Sequence, residues 1–234
     1  MALTKVTNSL LDSGALVSKA FGTSSIMIGD DATGTIDAAD YNVGLGVDVF
    51  AALTTGDRNT AIGFASMDAN TTGSDNTAVG NGSLGANTTA SCNVAVGSSS
   101  LTATTTGGDN VGVGCDALVT NTTGAYNTAI GTSALTASTT ANNNVAVGRW
   151  SGKAVTTGVN NTFIGLNSAL STTTGNYNTA LGSQAMNNNT TGSENVAVGH
   201  NALLANTTAN NNVAVGVECM DANTTGTQNT AMRS

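Results

Sequence analysis

One phrase returns every 17 residues along most of this chain. The phrase, Asn-x-Ala-x-Gly in its commonest form, opens at Asn42, Asn59, Asn76, Asn93 and every seventeenth residue on to Asn229, with no insertion or deletion between copies. Seventeen residues before Asn42 stands Ser25, opening "SIMIG", a degenerate first copy. A helix gives no reason for such spacing. A solenoid demands it, because each coil must set equivalent residues over those of the coil before. Residues 1–24 therefore read as a leader or attachment segment. Residues 25–234 read as a shaft of about 12 full coils and a partial last one.

Numbering a coil 1 to 17 from its Asn turns the sequence into columns. Position 1 is Asn, position 5 Gly, positions 13 and 14 Thr-Thr, and position 15 Gly or Ala. Stacked Asn side chains can hydrogen-bond along a column, as amide ladders do. Gly at 5 fits a tight bend or a close backbone approach. Thr-Thr suits a short strand with one hydroxyl in and one out. The structural ladder read this way includes Asn59, Asn76, Asn93, Gly63, Gly80, Thr71 and Thr72. Positions 6, 7, 10, 16 and 17 vary and read as solvent-facing turns.

Positions 1–5 read as a strand, with 2 and 4 on one face and 3 on the other. Position 3 is usually Ala and position 4 is Ile, Val, Leu or Met, so both faces look buried. Volume tells which face lies inside the coil. Phe163 at position 3 goes with Ala169 at position 9, Met27 with Thr33, and Gly44 with Phe50, while Ala at 3 usually goes with Leu or Met at 9. A shared pocket conserves total volume, so positions 3 and 9 should meet inside. Ala146 with Gly152 breaks the rule and leaves space unless Trp150 turns in. Positions 2 and 4 then point outward. They form a stripe that includes Thr60, Ile62, Thr77, Val79, Val94 and Val96, roughly 60 Å long at one strand spacing per coil. A lone soluble chain rarely exposes such a strip, so the stripe reads as a subunit interface in a threefold bundle or a twofold pair.

Composition excludes several function classes. Charged residues are 9%, aromatics 3%, and the formal net charge is −8. That is not the basic footprint of a nucleic-acid binder. No apolar run approaches a membrane span, and Leu10-Leu11 followed by Asp12-Ser13 is not a secretory signal core. The expectation is no nucleic acid, no membrane insertion and no cofactor. Cys92, Cys115 and Cys219 fall at positions 17, 6 and 8, without a CxxC spacing or a His partner. They read as two turn residues and one small core residue. The single His, His200, lies at a turn position and forms no triad or zinc site by itself. Asp30, Asp31, Asp37 and Asp40 lack a calcium-loop spacing and read as a solvated first coil or cap. Gly44 and Gly46 follow from the period rather than from a phosphate loop. Glu194 and Glu218 fall at different coil positions, so no carboxylate pair suggests glycosidase chemistry. The expectation is that the chain is not an enzyme.

The "NTAIG…NTTG" repeat resembles those of bacteriophage tail fibres and related virion proteins, and is similar to the "NSVAIG"-type repeats in head domains of trimeric autotransporter adhesins. The leader "MALTKVTNSLLDSGAL" resembles the opening of phage tail fibres and tailspikes. The resemblance implies an all-β fold: a left-handed parallel β-solenoid, of the β-roll or β-helix kind, packed as a parallel homotrimer. It implies a rigid fibre shaft that spaces a host-attachment device from a virion. Its partners would be its own copies, other virion tail proteins, and a host surface glycan or protein. A bacterial surface adhesin or extracellular filament, located at the cell surface or outside it, is the alternative. An ice-binding solenoid is less favoured, because Thr at 13 and 14 on opposite faces leaves only one exposed column. Fibres of this kind often carry a C-terminal chaperone domain. Nothing here matches one, and the last copy stops mid-coil at "NTAMRS", which reads as a truncated or uncapped end.

Overall fold

The structure, a computed structural model, describes residues 17–19, 26–29 and 39–233. It is an all-β solenoid with one turn per 17 residues. β2 (Ile26–Gly29) and β3 (Val43–Gly46) are followed by one three-residue strand per coil, from β4 (Thr60–Ile62) to β14 (Thr230–Met232). These strands lie in chain order in one 14-stranded sheet, every neighbour from β2 to β14 being parallel. β1 (Val17–Lys19), within the segment read as leader, pairs antiparallel with β2 and occupies that edge of the sheet. The register equals the sequence period: Thr60 lies beside Thr77, Ala61 beside Ala78, and Ile62 beside Val79. The degenerate first copy obeys it too, with Met27 beside Gly44. Thr33 and Asp30, Asp31 and Asp37 lie outside the described residues.

Cross-coil hydrogen bonding continues around the whole ring. Within one coil the N–H of Gly63 and Ala65 donate back to Leu45 and Val47, both at 2.9 Å. The N–H of Thr60, Met67, Ala69 and Thr71 donate forward to Asn76, Ser83, Gly85 and Thr88 at 2.9–3.1 Å. Buried backbone groups must find partners, and here the adjacent coil supplies them even outside the sheet.

The interior is a set of narrow columns. Ala61, Ala78 and Ala95 at position 3, and Met67, Leu84 and Leu101 at position 9, are all fully buried. So are Phe50 and Phe163, whose opposing positions hold small residues. The gap expected at Gly152 is filled from neighbouring coils rather than by Trp150. A Cβ on Gly152 would lie 2.8 Å from Phe163 Cδ2 and 3.0 Å from Leu135 Cδ2. Trp150 stays at the surface, half-buried under Arg149.

Positions 7, 9 and 17 adopt left-handed backbone in coil after coil, as at Ser99 (φ 57°), Leu101 (φ 53°) and Cys92 (φ 62°). In a plain strand consecutive side chains alternate, yet positions 8 and 9 both point inward. The left-handed residues that bracket position 8 permit this. They also explain a bias within the hydrophobic columns. Position 4 is rich in Val and Ile, whereas from Phe50 to Met220 position 9 holds Leu, Met, Phe, Ala or Gly and no β-branched residue. Positive φ is least tolerable for β-branched side chains. Leu118 (φ 53°, fully buried) therefore tests the point. Leu118→Ile, nearly isosteric, should lower unfolding free energy by about 2–3 kcal/mol, beyond the usual cost of such a swap. A loss below about 1 kcal/mol in urea unfolding would contradict the left-handed assignment.

Candidate functional surfaces

Two buried polar columns hold the coils in register. In the first, Asn59 Oδ1 accepts both the backbone N–H and the Nδ2–H of Asn76, at 3.0 and 3.1 Å. Asn59 Nδ2 donates to the carbonyl of Gly73, at position 15 of its own coil, at 2.9 Å. Asn93 repeats the pattern, its N–H on Asn76 Oδ1 at 2.9 Å and its Nδ2 on Gly107 O at 3.1 Å. The side chain thus does more than stack on its like. It supplies an acceptor for the N–H that opens the next strand, and a donor for a turn carbonyl across its own coil. Asn meets both needs at this reach, whereas an ionised Asp offers no donor.

The second column, at position 12, was missed in the sequence, where Leu53, Val155 and Thr172 obscure the Asn that opens each "NTTG". Asn87 Nδ2 donates to Asn70 Oδ1 at 2.9 Å and to Ala90 O at 3.1 Å, and Asn206 Nδ2 to Asn189 Oδ1 at 3.0 Å. The column breaks mid-chain. Ser138 is too short to continue it, and Val155 follows. Asn121 Oδ1 and Ser138 Oγ are buried without a partner among the described residues. Ser138→Asn should restore a donor toward Asn121 and one toward the Ala141 carbonyl, raising stability by about 1–2 kcal/mol. An unchanged or lower melting temperature would contradict this view of the column.

Of the remaining ladder residues, Gly63 and Gly80 sit at φ 131° and 142°. A Cβ on Gly63 would lie 2.5 Å from the carbonyl oxygen of Gly80. Thr71 and Thr72 depart from expectation: they form a bend, and neither hydroxyl points inside. Asn70 and Gly73 take the interior places, Thr71 is half-buried and Thr72 exposed. The Thr71 hydroxyl donates to the Thr88 carbonyl at 2.9 Å. Position-13 hydroxyls are thus tied to backbone, and a free two-column Thr lattice is not formed.

The outward stripe lies where the volume argument put it. Thr60, Ile62, Thr77, Val79 and Val94 are half-buried, and Val96, Ile130 and Ile164 are 37%, 40% and 42% exposed. This face is therefore only partly covered in a single chain. No charged residue occupies position 2 or 4 from Val43 to Met232. At the adjoining position 6, Phe64, Leu166 and Val217 extend the apolar surface.

Among the described residues, chemistry-bearing side chains do not converge. His200, Cys92 and Cys115 are exposed in turns, while Cys219 is buried with its Sγ 3.4 Å from Ala231 O. A hydrogen bond with Asp116 pushes the Cys115 thiol up, away from thiolate chemistry. Arg58 forks onto Asp75 one coil on, at 2.6 and 2.9 Å, holding that carboxyl below the usual range. Burial pushes the Asp68 carboxyl up beside a shallow recess that opens at Gly82 and Gly85. Glu194 and Glu218 are both exposed, at positions 17 and 7. Among the described residues no group of three or more His, Cys, Asp or Glu could hold a metal. No helix of the described residues is long and apolar enough to cross a membrane.

Fold and columns together define a β-solenoid repeat protein. No family model matches the chain, and no curated protein or solved structure matches it either.

Proposed function

We propose that the chain is a structural shaft, a rigid spacer of a phage tail fibre or related virion appendage, assembled from three parallel copies. The observation that carries this reading is the uncharged outward face, repeated in unbroken register. Over the described coils it runs roughly 50 Å at one strand spacing per coil. With a width of three residues, that is on the order of the 800 Å² that each partner of a standard interface contributes. Apolar and Thr side chains repeat there without a gap, and every described carboxylate lies elsewhere, at positions 7, 10, 16 or 17. Copies carrying a net charge of −8 can approach on this face without setting like charges against one another. Stiffness comes from the continuous cross-coil bonds and the two Asn columns. Attachment to other tail proteins and presentation of a host-binding tip belong to the same proposal.

Light scattering and negative-stain electron microscopy of the purified chain test it. The expected particle is a straight rod of about three times the 22.9 kDa chain mass. A 22.9 kDa monomer at micromolar concentration would sink the assembly. Antibody labelling of whole virions that leaves the tail unmarked would sink the location.

A further inference from the structure

Charge is spread unevenly along this solenoid. The chain is strongly acidic overall, yet no Asp or Glu occurs between Asp116 and Glu194, a stretch of more than four coils. Two cations, Arg149 and Lys153, lie inside it. The other cations of the described coils are engaged: Arg58 by Asp75, and Arg233 by Glu218 at 3.7 Å. No ion pair of Arg149 or Lys153 occurs among the described residues. Instead both gather over one ring. The Arg149 guanidinium lies 3.7 Å from the Trp150 ring centroid, and Lys153 Nζ 5.3 Å from it.

The three residues occupy positions 6, 7 and 10 of one coil. The backbone beneath is fixed: Trp150 is left-handed at φ 59°, and its N–H donates to Thr132 O at 3.1 Å. Both cations are exposed. Cation–π contact holds the two positive groups together without neutralising them. Guanidinium edges not turned to the ring remain free to fork onto a carboxylate. Matching positions on the flanking coils carry Thr132, Ser133 and Thr136 on one side and Leu166, Asn167 and Leu170 on the other, all uncharged and four of them polar.

We propose that this belt binds a carboxylate-bearing polysaccharide, with Arg149 and Lys153 taking the uronate groups and the neighbouring Thr and Asn side chains the sugar hydroxyls. An extended acidic peptide fits less well. It would need a free backbone edge to add to, and here the coil edges are already bonded to one another, as in Trp150 N–H to Thr132 O and Asn167 N–H to Arg149 O. A nucleic acid fits less well again. Two cations neutralise few phosphates, and the chain offers no basic stripe to follow the rest of the strand.

The experiment is affinity electrophoresis of the full chain through gels holding alginate, a polyuronate, or neutral dextran, with soluble poly-glutamate as a competitor. Retardation by alginate and not by dextran is expected, together with its loss at high salt, where exposed charges are screened. The double variant Arg149→Ser/Lys153→Ser should weaken alginate binding at least about tenfold, two charge-assisted contacts being lost. Arg58→Ser should leave it unchanged. Since both cations are exposed, the double variant should keep the parental circular dichroism and melting temperature. A folded double variant that still binds alginate with parental affinity overturns the site. Equal retardation by dextran, no retardation by alginate, or competition by poly-glutamate as strong as by free alginate overturns the ligand class.

Discussion

Replacing Asn127 with alanine should remove about 3–5 kcal/mol of stability, among the largest single effects expected in this chain. Four groups lose a partner together. The N–H and Nδ2 of Asn144 lose their acceptor, at 3.0 and 3.2 Å, the Ala141 carbonyl loses a donor at 2.8 Å, and Asn110 Oδ1 loses one of its donors at 3.1 Å. All of them lie in residues that are fully buried. A buried polar group left unpaired costs about 1–3 kcal/mol, and more than one is orphaned here. In a solenoid each coil leans only on its neighbours, so the loss should also divide the melt into two steps, the earlier about 10 °C below the parental transition. Circular dichroism melts of Asn127→Ala and of Thr140→Ala, an exposed control, make the comparison. Equal transitions in the two variants would mean that the column is not what holds the coils. Asn127→Asp adds a pH test. Burial disfavours its ionised form, so its folded pKa should stand above the ordinary carboxylate value of about 3.9. The stability that depends on the protonated form is then present at low pH and lost as pH rises through the folded pKa. The Asp variant should therefore melt higher at pH 4 than at pH 8, relative to the parent.

Gly131→Ala is the second large effect, about 3–5 kcal/mol, at the upper end for single substitutions. Gly131 has φ 129°, and its added Cβ would stand 2.7 Å from the carbonyl carbon and oxygen of Gly148. Space alone does not decide the matter. A Cβ on Gly124, at position 15, would meet the Ala141 carbonyl oxygen more closely still. Yet this chain places Ala at position 15 itself, at Ala90, Ala141 and Ala209. The difference lies in the backbone: Gly131 occupies positive φ and Gly124 does not. Gly131 combines conformational strain with the clash, whereas at position 15 only the Ala141 carbonyl and the Asn121 side chain have to yield. Urea unfolding of the two variants should therefore differ by at least about 2 kcal/mol. Parity would show that crowding, not backbone conformation, governs both columns.

Much of this architecture was legible because a period constrains many positions together. The spacing of Asn42, Asn59 and their successors set the register that the sheet adopts. The exchange of volume between Phe163 and Ala169, and between Gly44 and Phe50, set the inward face. What escaped was local backbone conformation. Leu101 and Leu118 look like ordinary strand residues, since left-handed φ leaves no mark when the residue is not glycine. The absence of Val and Ile from position 9 was the available signal. Thr71-Thr72 misled for a related reason: β-branched residues suggest a strand, but the bend there is fixed by Asn70 and by cross-coil bonds. The position-12 column was hidden by its own interruptions at Leu53, Thr104, Ser138 and Val155. Within its own coil only Trp150 could be offered for the space at Gly152, whereas the filler, Phe163, arrives from the next coil. Packing between coils cannot be read one repeat at a time.

The ring of cross-coil hydrogen bonds has a mechanical consequence. Nearly every bond between coils points along the long axis, so a pull on the two chain ends loads the terminal coil first and leaves the others intact. The molecule should then behave as a spool. Each 17-residue turn that peels away would lengthen the thread by roughly 50 Å, the extended span of those residues less the one strand spacing they filled. A solenoid built this way should absorb a tug as a train of even steps rather than as a single break.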